Sequence, residues 1–133
     1  MLERFDLALF DFRNCGRNPF HAAESHHYLR FARDSATVHG AIAEQWGEKT
    51  TVGVFHSMSA IAALLAVVEG VRHWDALVLF DAPKTAPCCK LFCETFGIDY
   101  AFVPDTSHLL QLEEPERCFA LFEGFLADSG IAT

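Results

Sequence analysis

The sequence predicts a single α/β domain over residues 1–133, a three-layer α/β/α arrangement around a mainly parallel sheet of about four strands. Two observations predict it. Short apolar runs alternate with stretches of helical periodicity from end to end, the pattern of βαβ units. The chain is 51% hydrophobic and carries 13 Phe among its 133 residues, enough apolar area for a sheet covered by helices on both faces. A chain of this length buries a core without disulfide or metal staples.

The strand candidates are the short apolar runs Leu7–Phe10, Val52–Phe55, Ala76–Phe80 and Tyr100–Val103, most of them β-branched or aromatic. Between the first two, Tyr28 to Trp46 carries Leu29, Phe31, Ala32, Ala36, Val38, Ala41, Ile42 and Trp46, a spacing mostly compatible with one face of a long helix, and Gly47 stops it. Ser57 to Glu69 is apolar on every side and predicts a helix buried against the sheet. Cys88 to Phe96 reads as a third helix. Pro115 suits the first turn of a fourth, whose stripe is Cys118, Phe119, Leu121, Phe122, Phe125 and Leu126.

Charge narrows the function classes. Ten Lys and Arg stand against 18 Asp and Glu, a formal charge of −8, which repels the phosphate backbone of nucleic acid. No apolar run reaches the ~20 residues that cross a bilayer, and the charged start Met1-Leu2-Glu3-Arg4 lacks a signal-peptide core. These features predict a cytoplasmic protein. Five cysteines, Cys15, Cys88, Cys89, Cys93 and Cys118, lack paired C-x-x-C spacing and read as reduced thiols, with zinc not expected. Cys89 and Cys93 fall on one helix face, and core packing accounts for them better than redox or metal chemistry. No cofactor is expected. The apolar content, with a sheet left short or open at an edge, predicts a homo-oligomer.

The chemistry centres on Thr51-Val52-Gly53-Val54-Phe55-His56-Ser57-Met58-Ser59-Ala60, where a strand runs directly into a helix with a serine at the junction. At such a turn a hydroxyl stands clear of the backbone, within reach of a base. The N–H of Met58 then points at whatever sits above the helix N-terminus, where an oxyanion develops. The site also lies at the carboxyl end of a parallel strand, where open sheets bind ligands. A plainer role for Ser57 is helix N-cap, for which serine is favoured.

Phe55-His56-Ser57-Met58-Ser59-Ala60 resembles the nucleophile elbow of the α/β-hydrolase family, G-x-S-x-G and often G-H-S-M-G-G: His56, Ser57 and Met58 match, Ser59 and Ala60 are small where the family uses glycine, and Phe55 does not match. Asp105-Thr106-Ser107-His108 through Glu113-Glu114-Pro115-Glu116 is similar to that family's histidine loop, G-H-x-x-x-x-E-x-P-E, with Ser107 replacing the glycine. Leu9-Phe10-Asp11-Phe12-Arg13-Asn14-Cys15-Gly16-Arg17-Asn18 is similar to its D-x-R-G-H-G-x-S loop, with Asn14, Cys15 and Asn18 as departures, and Leu77-Val78-Leu79-Phe80-Asp81-Ala82-Pro83 resembles L-V-L-x-D-x-P, the strand after the nucleophile helix. The resemblance implies a reduced α/β-hydrolase-like fold and a serine hydrolase acting on ester or thioester bonds of a small molecule. Ser57 would be nucleophile and His108 general base, with Met58 and His56 at the oxyanion and substrate. His21, His26, His27, His39 and His73 carry no motif.

The triad acid is the open position. Asp81, ending the strand beside the one that leads to Ser57, is the first choice, and Asp105, near His108, the second. Relative to the family pattern, the strand and H-G loop ahead of Leu7 are missing. Only Lys84 to Asp99 fills the interval of the lid and the acid-bearing strand. These gaps leave an alternative: a catalytically inactive, truncated relative, either an interaction module or a gene fragment.

Overall fold

The computed structural model describes residues 4–20, 22, 27–71, 73–80, 90, 91, 93–95, 97, 99–101 and 103–131. Its elements are α1 (Tyr28–Trp46), β1 (Val52–His56), α2 (Met58–Val68), β2 (Ala76–Phe80), α3 (Leu110–Glu113) and α4 (Pro115–Asp128). The N–H of Leu29 bonds to Nδ1 of His27 at 3.2 Å, capping α1, and Gly47 closes it by donating to the Ala43 carbonyl at 2.8 Å. At the end of α2, Gly70 at φ 68° takes the left-handed position of a Schellman motif. There Val71 N–H donates to Ala66 O at 2.9 Å and Gly70 N–H to Val67 O at 3.1 Å.

β1, α2 and β2 form a βαβ unit. The two strands pair in parallel, Val52 with Ala76 through His56 with Phe80. Because in-register partners share a face, Gly53, Phe55, Leu77 and Leu79 point one way, and Val52, Val54, Val78 and Phe80 the other. The first face carries the core: Phe55 and Trp74, with ring centroids 5.2 Å apart, pack with Ala32 of α1 and with Ala60, Ala63 and Ala66 of α2. Alanine at these helix positions lets α1 and α2 lie close over the strand. Gly53 is held to glycine by the same closeness, since a Cβ there would stand 2.9 Å from Phe55 Cε2 and 3.1 Å from the Trp74 ring. α3 and α4 pack on each other, and α4 buries Cys118 and Leu126.

This architecture corrects the expected fold. The described residues contain two strands, both parallel, where about four were expected, and no sheet lies between helical layers on both faces. Leu7–Phe10 forms no strand: Leu9 is 93% exposed. This segment is anchored through its rings instead, Phe10 on Phe12 at 5.1 Å and Phe12 on Phe31 of α1 at 5.3 Å. In Tyr100–Val103, the described residues 100, 101 and 103 are not extended into a ladder. The Val103 carbonyl accepts from Thr106 Oγ1 at 2.9 Å, closing a turn where a strand would have paired. On the second face of the sheet Val54 is half exposed, and Val52, Val78 and Phe80 are partly buried. α2 is likewise not covered all round, since Val68 stands in solvent. Of the expected third helix, residues 90, 91 and 93–95 are helical, and Cys88, Cys89 and Phe96 lie outside the described residues.

Among the described residues, no helix is long and apolar enough to cross a membrane.

Candidate active site

Ser57 sits between β1 and α2 with φ 56° and ψ −124°. Three described non-glycine residues have positive φ: Asn14, Ser57 and Asp105. Asn and Asp tolerate that region because their short polar side chains bond locally, whereas serine gains little there. A non-glycine residue in so sparse a region costs about 1–3 kcal/mol. The strain follows from the covalent path. β1 must stay in register with β2 to its last residue, and the Ser57 N–H donates to the Phe80 carbonyl at 3.0 Å, so the reversal into α2 falls on one residue.

Ser57 is the N-cap residue of α2 by position but makes no side-chain capping bond. Ser59 secures the turn instead. Its Oγ accepts from the His56 N–H at 2.9 Å and donates to the His56 carbonyl at 2.7 Å. The sequence carries that signal in the serine three residues after His56, a spacing at which hydroxyls bond back to the main chain. Met58 opens the helix, so its N–H belongs to the first turn, which no intrahelical carbonyl serves. Its side chain is largely exposed, with Sδ 3.4 Å from the Tyr28 hydroxyl that donates to it.

His108 lies in the turn before α3. The structure brings this turn against the β1–α2 junction through His56. The His56 Nε2 lies 2.8 Å from the His108 carbonyl oxygen, and the two imidazole centroids are 4.7 Å apart, tilted by 45°. Since a carbonyl only accepts, Nε2 carries the hydrogen. On the other side of His108, Ser107 donates twice to Glu113: its N–H to Oε2 at 2.9 Å and its Oγ to Oε1. These bonds favour the carboxylate and hold Glu113 below the usual glutamate range, the hydroxyl bond more than the amide bond.

Of the expected acids, Asp81 lies outside the described residues. Asp105 is exposed in the turn at φ 61°, and Thr106 and Ser107 separate it from His108. The other polar features lie elsewhere. Arg13 grips Asp34 with two bonds, Nε to Oδ2 at 2.6 Å and Nη2 to Oδ1, beside a cleft reached by Phe10 and Asp11. His39 and His73 stack with centroids 5.6 Å apart beside Glu48 and Asp75, at the opposite ends of the strands. Neither cleft is lined by Ser57 or His108. Among the described residues, no group of three or more His, Cys, Asp or Glu is placed to hold a metal ion.

Compared with protein-family models, curated proteins and solved structures, the chain matches none of them.

Proposed function

We propose that this chain is a serine hydrolase of α/β-hydrolase type acting on ester or thioester bonds of a small molecule. The observation that carries the reading is the backbone of Ser57, which sits at positive φ directly between a parallel strand and a helix and makes no capping bond. That is the local shape that lifts a hydroxyl off the chain at the carboxyl edge of a sheet. The adjacency of the His108 turn, joined through His56, supports the second role.

In the proposed reaction the His108 imidazole takes the Ser57 proton as Oγ attacks the substrate carbonyl. The resulting oxyanion rests on the Met58 N–H at the start of α2. Collapse breaks the bond to the alcohol or thiol, which leaves with the proton from His108, and an acyl group stays on Ser57. Water, deprotonated by His108, then attacks the acyl carbonyl, and the acid is released as His108 returns the proton to Oγ. Asp81, next after β2, is the proposed acid that orients the imidazole, with Asp105 as the alternative.

The test is labelling with a fluorophosphonate, which reacts only with an activated serine, alongside hydrolysis of a short-chain aryl ester. The expected result is an adduct on Ser57 and loss of both activities in Ser57→Ala. Equal rates in both proteins would remove Ser57 from the mechanism. A second reading, an inactive relative that serves as an interaction module, is favoured by the half-exposed Val54 on the second sheet face. It expects no adduct, and self-association detectable by light scattering at micromolar concentration.

A further inference from the structure

The main chain around His108 is held from both sides. On one side, its carbonyl accepts from His56 Nε2 at 2.8 Å. On the other, one carboxylate holds two donors of the preceding residue: Ser107 N–H reaches Glu113 Oε2 at 2.9 Å, and Ser107 Oγ reaches Oε1. Glu113 is the last residue of α3, so this double bond ties the start of the 107–113 segment to its helical end and closes a ring around His108. A single exposed hydrogen bond competes poorly with water. Two bonds from one residue to the two oxygens of one carboxylate fix direction as well as distance.

We propose that Glu113 is a positioning residue for His108: by holding both donors of Ser107 it sets the main chain that presents the imidazole to Ser57. The proposal rests on the reading of His108 as the general base. Glutamine at 113 keeps one acceptor oxygen for the Ser107 N–H but meets Ser107 Oγ with an N–H, so the hydroxyl must turn from donor to acceptor and both bonds lose the assistance of the carboxylate charge. Alanine at 107 removes the hydroxyl and leaves the amide. Neither change touches Ser57, His108 or the Met58 N–H. Both act on the reaction through the aim of the ring, where misplacement by about 1 Å costs up to 100-fold; Glu113→Gln also removes a negative charge from the loop, and Ser107→Ala does not.

The experiment measures fluorophosphonate labelling of Ser57 and the pH profile of aryl-ester hydrolysis in the full chain, with thermal melts alongside. Glu113→Gln is expected to slow labelling and kcat between about 10- and 100-fold with KM little changed. Ser107→Ala is expected to lose less, and Ser107→Thr, which keeps both donors, to restore most of that loss. A shifted limb of the pH profile in Glu113→Gln marks an effect on the base that a general loss of stability would not produce. Wild-type protein that is not labelled overturns the hydrolase reading and this proposal together. Labelled wild type with an equally fast Glu113→Gln overturns the positioning role alone. If Glu113→Gln does not fold, the comparison of Ser107→Ala with Ser107→Thr decides, and equal rates in those two overturn it.

Discussion

The imidazole of His56 donates from Nε2 to the main-chain carbonyl of His108 at 2.8 Å, so the residue before Ser57 holds the residue that follows the Glu113 brace. Among the described residues, no backbone–backbone hydrogen bond joins the β1–α2 junction to the 104–109 turn. This side-chain bond and the tilted contact of the two rings connect them. His56→Phe keeps an aromatic ring against His108 and removes the donor. The bond is exposed, so its loss is expected at the low end of the usual range, about 0.5–1 kcal/mol in urea unfolding. Labelling of Ser57 is expected to fall much further than that stability change implies. Unfolding and labelling measured on the same variant check both halves.

Gly53 leaves the core no room for a side chain. An added Cβ would meet Phe55 Cε2 at 2.9 Å and the Trp74 ring at 3.1 Å. Phe55 and Trp74 already touch each other and are both buried, so neither ring has open space to enter. Gly53→Ala is expected to cost about 1–3 kcal/mol by overpacking, despite the stiffer unfolded chain that alanine brings. A fall in the urea midpoint with unchanged slope is the expected signature. Gly40→Ala, whose added Cβ would meet nothing within 4 Å, is the control and is expected to be neutral or stabilising.

What the sequence made legible here was local. α1 was readable at both ends, because its apolar spacing stops at Trp46 and glycine follows. β1 and β2 were readable because they are short, apolar and bounded by turns. The expected strands at Leu7–Phe10 and Tyr100–Val103 have the same composition and do not form, because a strand exists only beside a partner, and apolar runs do not encode partners. Phe12 settles on Phe31, and Val103 gives its carbonyl to Thr106. The same limit governs the site. Serine and histidine were readable as residue types in suggestive spacing, and the strain at Ser57 follows from a strand running straight into a helix. That His56 reaches across to His108 depended on a side-chain direction that spacing alone does not carry.

Acid should loosen the turn before it touches the core. The two Ser107 bonds hold the Glu113 carboxyl below its ordinary value, so folding favours the carboxylate. The stability from this tie is therefore fully present above the unfolded glutamate value of about 4.3. It is lost as the pH falls through the lower folded value. A titration of the Ser107 amide followed by NMR is expected to inflect below about pH 4.3 and to lose that inflection in Glu113→Gln. An inflection above that value, or one unchanged by the substitution, would show that the amide answers to another group.

Ser57→Gly separates the strain at the junction from its chemistry. The serine occupies φ 56° and ψ −124°, a conformation that costs a non-glycine residue about 1–3 kcal/mol and glycine almost nothing. Against that relief, glycine adds about 0.4–1 kcal/mol of unfolded-state freedom. The balance is a protein about 1 kcal/mol more stable than wild type and unable to form an adduct. Ser57→Ala removes the same hydroxyl and keeps the strain, so it is expected to match wild type in stability. A chain that keeps a strained serine where glycine would be more stable gives up stability at that position, which is the trade expected where a hydroxyl is put to use. If denaturation curves show Ser57→Gly to be no more stable than Ser57→Ala, the junction is relaxed in solution. The backbone of Ser57 would then no longer support its assignment as nucleophile.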